Sequence, residues 1–404
     1  SKAGATSRDQ SALIQKLLIG VAIIIPLIVA GIVLLSVVQR KQSQQSDLDE
    51  LWINANALWV QAEAVSDPAT VRARLGEAQG YLDQFLARRP DHVDALALQQ
   101  RIQAQLEENN QVWRVKWEGQ LMSYPQDAHL TRVVVEGIHV FVMDRNADSV
   151  YHHRLDEFQQ SLQPTTSDAI ILRKGDQIGN VLVGDLLDMA WMPVGNGRQK
   201  AGLVILTSDG MLFEYEPANE SLTPLQVSAT EDWQLPELVG SHSGRFYVLD
   251  SVASEIWRYE PTSDGYTSRP TKWLKSPADL AGVRDMAIGD SIFLLYADGT
   301  IKKLAAGEAA PFDISDWDMP PQGPTAIFTR PPHEAQWIYG ADPGNNRIVQ
   351  ASKEGQFKRQ FRLAGSQGGD SGALADVTSL FVDEIGGRAY VLSGQSLYMI
   401  ILPN

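Results

Sequence analysis

Residues 236–261 read PELVGSHSGRFYVLDSVASEIWRYEP. A short apolar strand runs into a turn at Ser243-Gly244, a second strand (FYVLD) leads to a hairpin, and a third (EIWRY) follows. Tyr, Val, Ile and Trp in such runs suit a pleated, half-buried surface. The same order of features recurs from Thr131 (TRVVVEGIHVFVMDRNADSVYHHRLD) and from Leu187 (LDMAWMPVGNGRQKAGLVILTSDGMLFEYEP). It returns from Arg284 (RDMAIGDSIFLLYADGTIKKL), Gly323 (GPTAIFTRPPHEAQWIYGADPGNNRIVQAS) and Val377 (VTSLFVDEIGGRAYVLSGQSLYMIIL). A period of about 40–55 residues is that of propeller blades. The fold expected over 110–404 is therefore mainly β, a six-bladed β-propeller. The last unit has no room for a fourth strand before Asn404. The alternating stretch VWRVKWEGQL, 112–121, is expected to supply it, so that 110–121 closes the ring and removes a free sheet edge.

The hairpins between second and third strands fall into two classes. The first, third and fifth units use an Asp followed six residues later by Val or Ile: Asp144/Val150, Asp250/Ile256 and Asp342/Ile348. The others use tighter turns at Ser208-Asp209-Gly210, Ala297-Asp298-Gly299 and Gly394-Gln395. Gly and Asp tolerate the positive φ such turns need. The long-hairpin aspartates read as turn caps rather than ligands. The stretch ADPGNNRI, 341–348, carries a close resemblance to the NHL blade motif, and the set of blades resembles NHL and TolB-like propellers. That resemblance spans Asn110 to Asn404 and implies the fold rather than an activity.

Upstream, residues 17–38 read LLIGVAIIIPLIVAGIVLLSVV, 22 positions without a charge. About 20 apolar residues suffice to span the hydrocarbon core, so the stretch predicts a single-pass transmembrane helix, with Pro26 as a tolerated kink. Lys2, Arg8 and Lys16 precede it and Arg40 and Lys41 follow. This slight bias places the tail 1–16 in the cytoplasm and the propeller outside the cell membrane. Ser1 in place of Met is expected of a processed or truncated chain. Residues 39–109 carry helical periodicity and predict a short stalk. Asp67 is expected to cap a helix that opens on Pro68, and Asp91 to cap another. The stretch LDQFLARRPDHVDALAL resembles a tetratricopeptide repeat through Leu82, Pro90, Ala95 and Leu96.

The 404-residue chain has a net charge of −15 and no cysteine. The acidic balance excludes a nucleic-acid partner, and the missing thiols exclude disulfides, thiolate metal sites and cysteine nucleophiles. Seven histidines are scattered, none in a zinc-ligand spacing, and His152 and His153 are adjacent on a strand and face opposite ways. GxSxG, P-loop and GxGxxG patterns are missing. Aligning the blades puts Arg132, Asp188, Glu237, Asp285, Thr325 and Thr378 at the start of each innermost strand, ringing one mouth of the central channel. Such a ring predicts a ligand site and allows a divalent cation, with no other cofactor expected. Propellers of the gluconolactonase-like family place metal-binding Glu, Asn and Asp there, but their motifs are not recognisable in this chain.

The arrangement of anchor, stalk and propeller is similar to the extracytoplasmic C-terminal region of some bacterial PPM-type phosphatases, whose paired metal-binding aspartates this chain lacks. The resulting expectation is a non-enzymatic, membrane-anchored binding, sensing or scaffold protein. Its propeller would present loops such as 319–324 and 366–375 to a protein, peptide or glycan, or join a larger membrane complex as a structural subunit. The alternative is an extracytoplasmic hydrolase of lactonase type using the channel carboxylates.

Overall fold

The computed structural model describes residues 45–403, except 165–168, 315–316 and 366–371. The expected tail and transmembrane segment, 1–38, and most of the 366–375 loop lie outside the described residues. Among the described residues no helix is long and apolar enough to cross a membrane. The chain divides after Asn109 into two compact units.

In the first unit, residues 45–63, Pro68–Leu86 and Val93–Asn109 are helical. The Asp67 carboxylate accepts from the Thr70 backbone N–H at 2.9 Å and from its hydroxyl at 2.6 Å, which satisfies an orphan donor of the first turn. The following helix is capped by His92 rather than by Asp91: its Nδ1 accepts from the Ala95 N–H at 3.2 Å. Ala55, Leu75, Ala78, Leu82, Ala95 and Leu98 are fully buried in one cluster. Three of these are alanines, whose small side chains let helices approach closely.

The second unit is a six-bladed propeller of five four-stranded sheets and one five-stranded sheet. Inner strands are Leu130–Glu136, Leu186–Met192, Pro236–His242, Val283–Ile288, Ala326–Phe328 and Val377–Asp383, for blades one to six. Second strands are buried almost throughout, because each lies inside its own sheet and under the next blade. The interfaces are apolar: Phe141 and Met143 of blade one pack with Met189, Ile205 and Phe213 of blade two. Turn geometry supports close approach between blades. Gly244 has φ +79°, and a Cβ there would meet the Gly195 carbonyl oxygen at 2.2 Å.

The two hairpin classes alternate around the ring. Asp144, Asp250 and Asp342 are buried, and each ties its hairpin to the segment entering the inner strand. Asp144 accepts from the N–H groups of His129 and Asn146 at 2.9 Å. Asp250 accepts from Gln234 at 2.7 Å, Leu235 at 3.0 Å and Ala253 at 2.9 Å. Asp342 accepts from the Gln322 N–H at 2.8 Å and from Arg347 Nε at 2.8 Å. Four residues after each Asp, a non-glycine takes positive φ: Asp148 (43°), Ser254 (50°) and Asn346 (51°). The tight turns use Gly210 (77°), Gly299 (92°) and Gly394 (55°) instead.

Ring closure differs in one respect from the single strand expected over 112–121. That segment is split at Lys116. Trp117–Ser123 pairs antiparallel with Ser396–Ile401 and completes blade six. Val112–Val115 runs parallel to Phe357–Leu363 and adds a fifth strand to blade five. The chain thus fastens two neighbouring blades on its way in.

Candidate functional site

Five of the six inner strands begin irregularly, and that irregularity builds the channel mouth. In blades one, two, three, four and six the ladder skips one residue, at Thr131, Leu187, Glu237, Arg284 and Thr378. A bulge re-aims its side chain, so two successive residues reach the channel where a regular strand would send one. The residues after the bulge, Arg132, Asp188, Leu238, Asp285 and Ser379, pair with equivalent second-strand positions, as Ala326 does in blade five. The ring read from the sequence therefore mixes two tiers. Arg132, Asp188 and Asp285 belong to the inner tier, and Glu237, Thr325 and Thr378 stand one residue earlier.

The inner tier is a structural clasp. Asp188 Oδ2 accepts from the Val239 N–H at 2.9 Å, Asp285 Oδ2 from the Ile327 N–H at 2.9 Å, and Ser379 Oγ from the Val133 N–H at 3.1 Å. Each even blade is thereby tied to the next odd one, with threefold regularity. Ser379, which the sequence alignment passed over for Thr378, holds the third tie. Arg132 reaches from blade one across the channel, giving Nε to Asp188 and Nη1 to Asp285, both at 2.7 Å. Burial works against its charge, but the two carboxylates outweigh it and hold the guanidinium above its ordinary pKa. This arginine occupies the space between the two acids. Among the described residues no group of three or more His, Asp or Glu is placed to hold a metal ion. The donor set thus does not fit a divalent cation at the inner tier.

Above the clasp lies a cavity of about 500 Å³. Five of the six residues expected at the mouth line it, Arg132, Asp188, Glu237, Thr325 and Thr378, and Arg132 connects it to the sixth, Asp285. Thr131, Arg284, Arg145 and His129 line it too and were missed in the sequence. The Thr325 hydroxyl donates to the Val377 carbonyl at 2.7 Å. The hydroxyls of Thr131 and Thr378 are buried without a hydrogen-bond partner, which costs free energy unless a ligand or water completes them. Glu237 is half-buried and has no ion-pair or hydrogen-bond partner among the described residues. On the far side of Arg132 a smaller cavity of about 130 Å³ has mostly apolar walls, among them Trp191, Ile288 and Phe381.

His139, His152 and His153 engage one another or neighbouring tyrosines. His139 Nδ1 lies 2.9 Å from His152 Nε2, Tyr215 Oη lies 3.3 Å from His152 Nδ1, and Tyr124 Oη lies 2.9 Å from His153 Nε2. His152 and His153 serve opposite faces of blade one, as the strand periodicity requires. Of the two rim loops expected to meet a partner, 319–324 is pinned to blade five. Arg347, fully buried, donates to the Met319 carbonyl at 2.6 Å, and Asn345 to the Pro320 carbonyl at 2.8 Å.

No family model matches the chain, and no curated protein matches it. Solved structures do. A gluconolactonase from Xanthomonas campestris is 12% identical over 70% of this chain and 99% of its own, with a TM-score of 0.43. Regucalcin from Agrobacterium tumefaciens, a calcium-binding protein, is 13% identical over 72% and 97%, with a TM-score of 0.45. A PQQ-bound aldose sugar dehydrogenase from Streptomyces coelicolor is 11% identical over 71% and 97%, with a TM-score of 0.41. Likeness at this level concerns the fold and carries no activity to this chain. The expectation of a non-enzyme is withdrawn. That expectation rested on missing linear motifs, and propellers named for enzymatic activities stand among the similar structures. These similar structures do not show the tetratricopeptide and phosphatase resemblances.

Proposed function

We propose that the channel mouth is the active site of a hydrolase acting on a small, hydroxyl-bearing ester or lactone. The observation that carries this reading is the convergence of an unpartnered carboxylate, Glu237, and two unpartnered buried hydroxyls, Thr131 and Thr378, on one cavity. Asp188 and Asp285 are engaged by Arg132 and by backbone N–H groups, which leaves Glu237 as the mouth's free carboxylate. In this reading Glu237 takes a proton from water as its oxygen attacks the acyl carbon. The acyl C–O bond breaks, and the proton passes from Glu237 to the departing alkoxide. Hydroxyls at Thr131 and Thr378 hold the substrate.

A panel of neutral and acidic sugar lactones, followed by pH-stat, tests it. The full chain is expected to open at least one of them, and E237Q to lower kcat about 10²-fold or more, in the range of general-base losses, with an unchanged melting temperature. Hydrolysis that survives E237Q intact would reject the assignment. We further propose that residues 17–38 anchor the chain, supported by their uncharged length, with the propeller outside. External protease on spheroplasts is expected to release the propeller while a cytoplasmic control survives; protection until lysis would reverse the orientation.

A further inference from the structure

The charges at the mouth narrow the substrate class beyond the proposed hydrolase reading, on which this inference rests. The chain carries 49 acidic and 34 basic residues, so carboxylates outnumber the cations that could pair with them. Many arginines of the propeller have found one, among them Arg198 with Glu214, Arg245 with Glu260, Arg269 with Asp232, Arg330 with Glu136 and Glu334, and Arg347 with Asp342. Arg145 and Arg284 have not, nor have Arg154, Arg359 and Arg388, which lie outside this cavity. Arg284 gives one N–H to the Pro324 carbonyl at 2.9 Å, and neither it nor Arg145 has a carboxylate within ion-pair distance among the described residues. Both line the same cavity, Arg145 from the blade-one hairpin and Arg284 from the bulge of blade four. Unsatisfied guanidiniums in a largely acidic molecule, gathered at one concave site, are a receptor for an anion.

Glu237 stands on the neighbouring blade, where it would repel a second negative group and accept from a hydroxyl or water. The uncompleted hydroxyls of Thr131 and Thr378 complement further hydroxyl groups. We infer that the substrate is an ester or lactone that carries a free carboxylate, bound by Arg145 and Arg284, with neutral hydroxyl-bearing carbons against the threonines. Esters lacking the carboxylate would bind through the hydroxyls alone.

The experiment compares hydrolysis of D-glucaro-1,4-lactone, which bears a carboxylate, with that of neutral D-glucono-1,5-lactone by the full chain in detergent micelles. Each rate is corrected for spontaneous opening. The expected result is a kcat/KM about tenfold or more in favour of the acidic lactone, carried mainly by KM. Salt should weaken that preference, and R145Q/R284Q should abolish it, mainly by raising KM for the acidic lactone. If R145Q/R284Q fails to fold, as judged by its melting curve, the single variants and the salt series on the wild-type chain decide. Equal kcat/KM on both lactones, or a preference indifferent to salt, overturns the inference and leaves the hydrolase reading standing. Hydrolysis of neither lactone removes both.

Discussion

Arg132 spans the channel from blade one to acids on blades two and four, and both acids are almost fully buried. Removing the guanidinium leaves two carboxylates without their cation in a low-dielectric site. R132M is expected to destabilise the propeller by about 3–5 kcal/mol, the usual cost of breaking a buried ion pair. R132M/D188N/D285N, which removes the stranded charges but keeps side-chain acceptors for Val239 and Ile327, should recover most of that loss in chemical denaturation. No recovery would mean that the clasp is held by shape rather than charge. A second residue-scale effect is pH dependence. Burial lowers His152 and His153 to about 4, from an ordinary value of 6.5. The unfolded chain then binds protons below pH 6.5 that the folded chain refuses. Stability is complete above that pH and is lost as pH falls from 6.5 toward 4. The melting temperature of H152Q/H153Q should therefore fall less steeply across this window than that of the wild type; identical slopes would place the protonation elsewhere.

Among the elements, the long hairpins of the odd blades rest on single aspartates. D250A would strand the N–H groups of Gln234, Leu235 and Ala253 beneath a fully buried position. A loss of about 1.5–3 kcal/mol is expected by thermal or urea denaturation, the scale for hydrogen bonds to a charged group. These caps were legible in the sequence because an Asp and a β-branched residue six positions on are local signals. So were the blades, since period-two strands and Gly or Asx turns repeat within short windows. The bulges were not legible. One unpaired residue at the head of an inner strand leaves no mark in composition, yet it shifts every later side chain by one position. The ring legible in the sequence therefore combines two registers, with Thr378 but not Ser379, and without Thr131 and Arg284. Arg132 also lies 56 and 153 positions from its partners, a separation no local pattern encodes. The split of 112–121 between blades five and six escaped for the same reason, because both halves alternate and only the ring decides which edge each one meets.

For the whole molecule, fold and charge point to one place. Six blades leave a central channel, the clasp floors it, and the bulges line its mouth with the uncompleted hydroxyls of Thr131 and Thr378. The cavity beyond Arg132 is smaller and mostly apolar-walled, and the groove lined by Arg198, Lys200 and Glu214 holds arginine and lysine already paired with acids. The most direct measurement is a structure of the full-length E237Q chain saturated with a hydrolysable lactone. The account predicts the lactone at the mouth, its acyl group beside position 237 and its hydroxyls on Thr131 and Thr378. A lactone seated below Arg132 or between blades two and three, with the mouth empty, would contradict it.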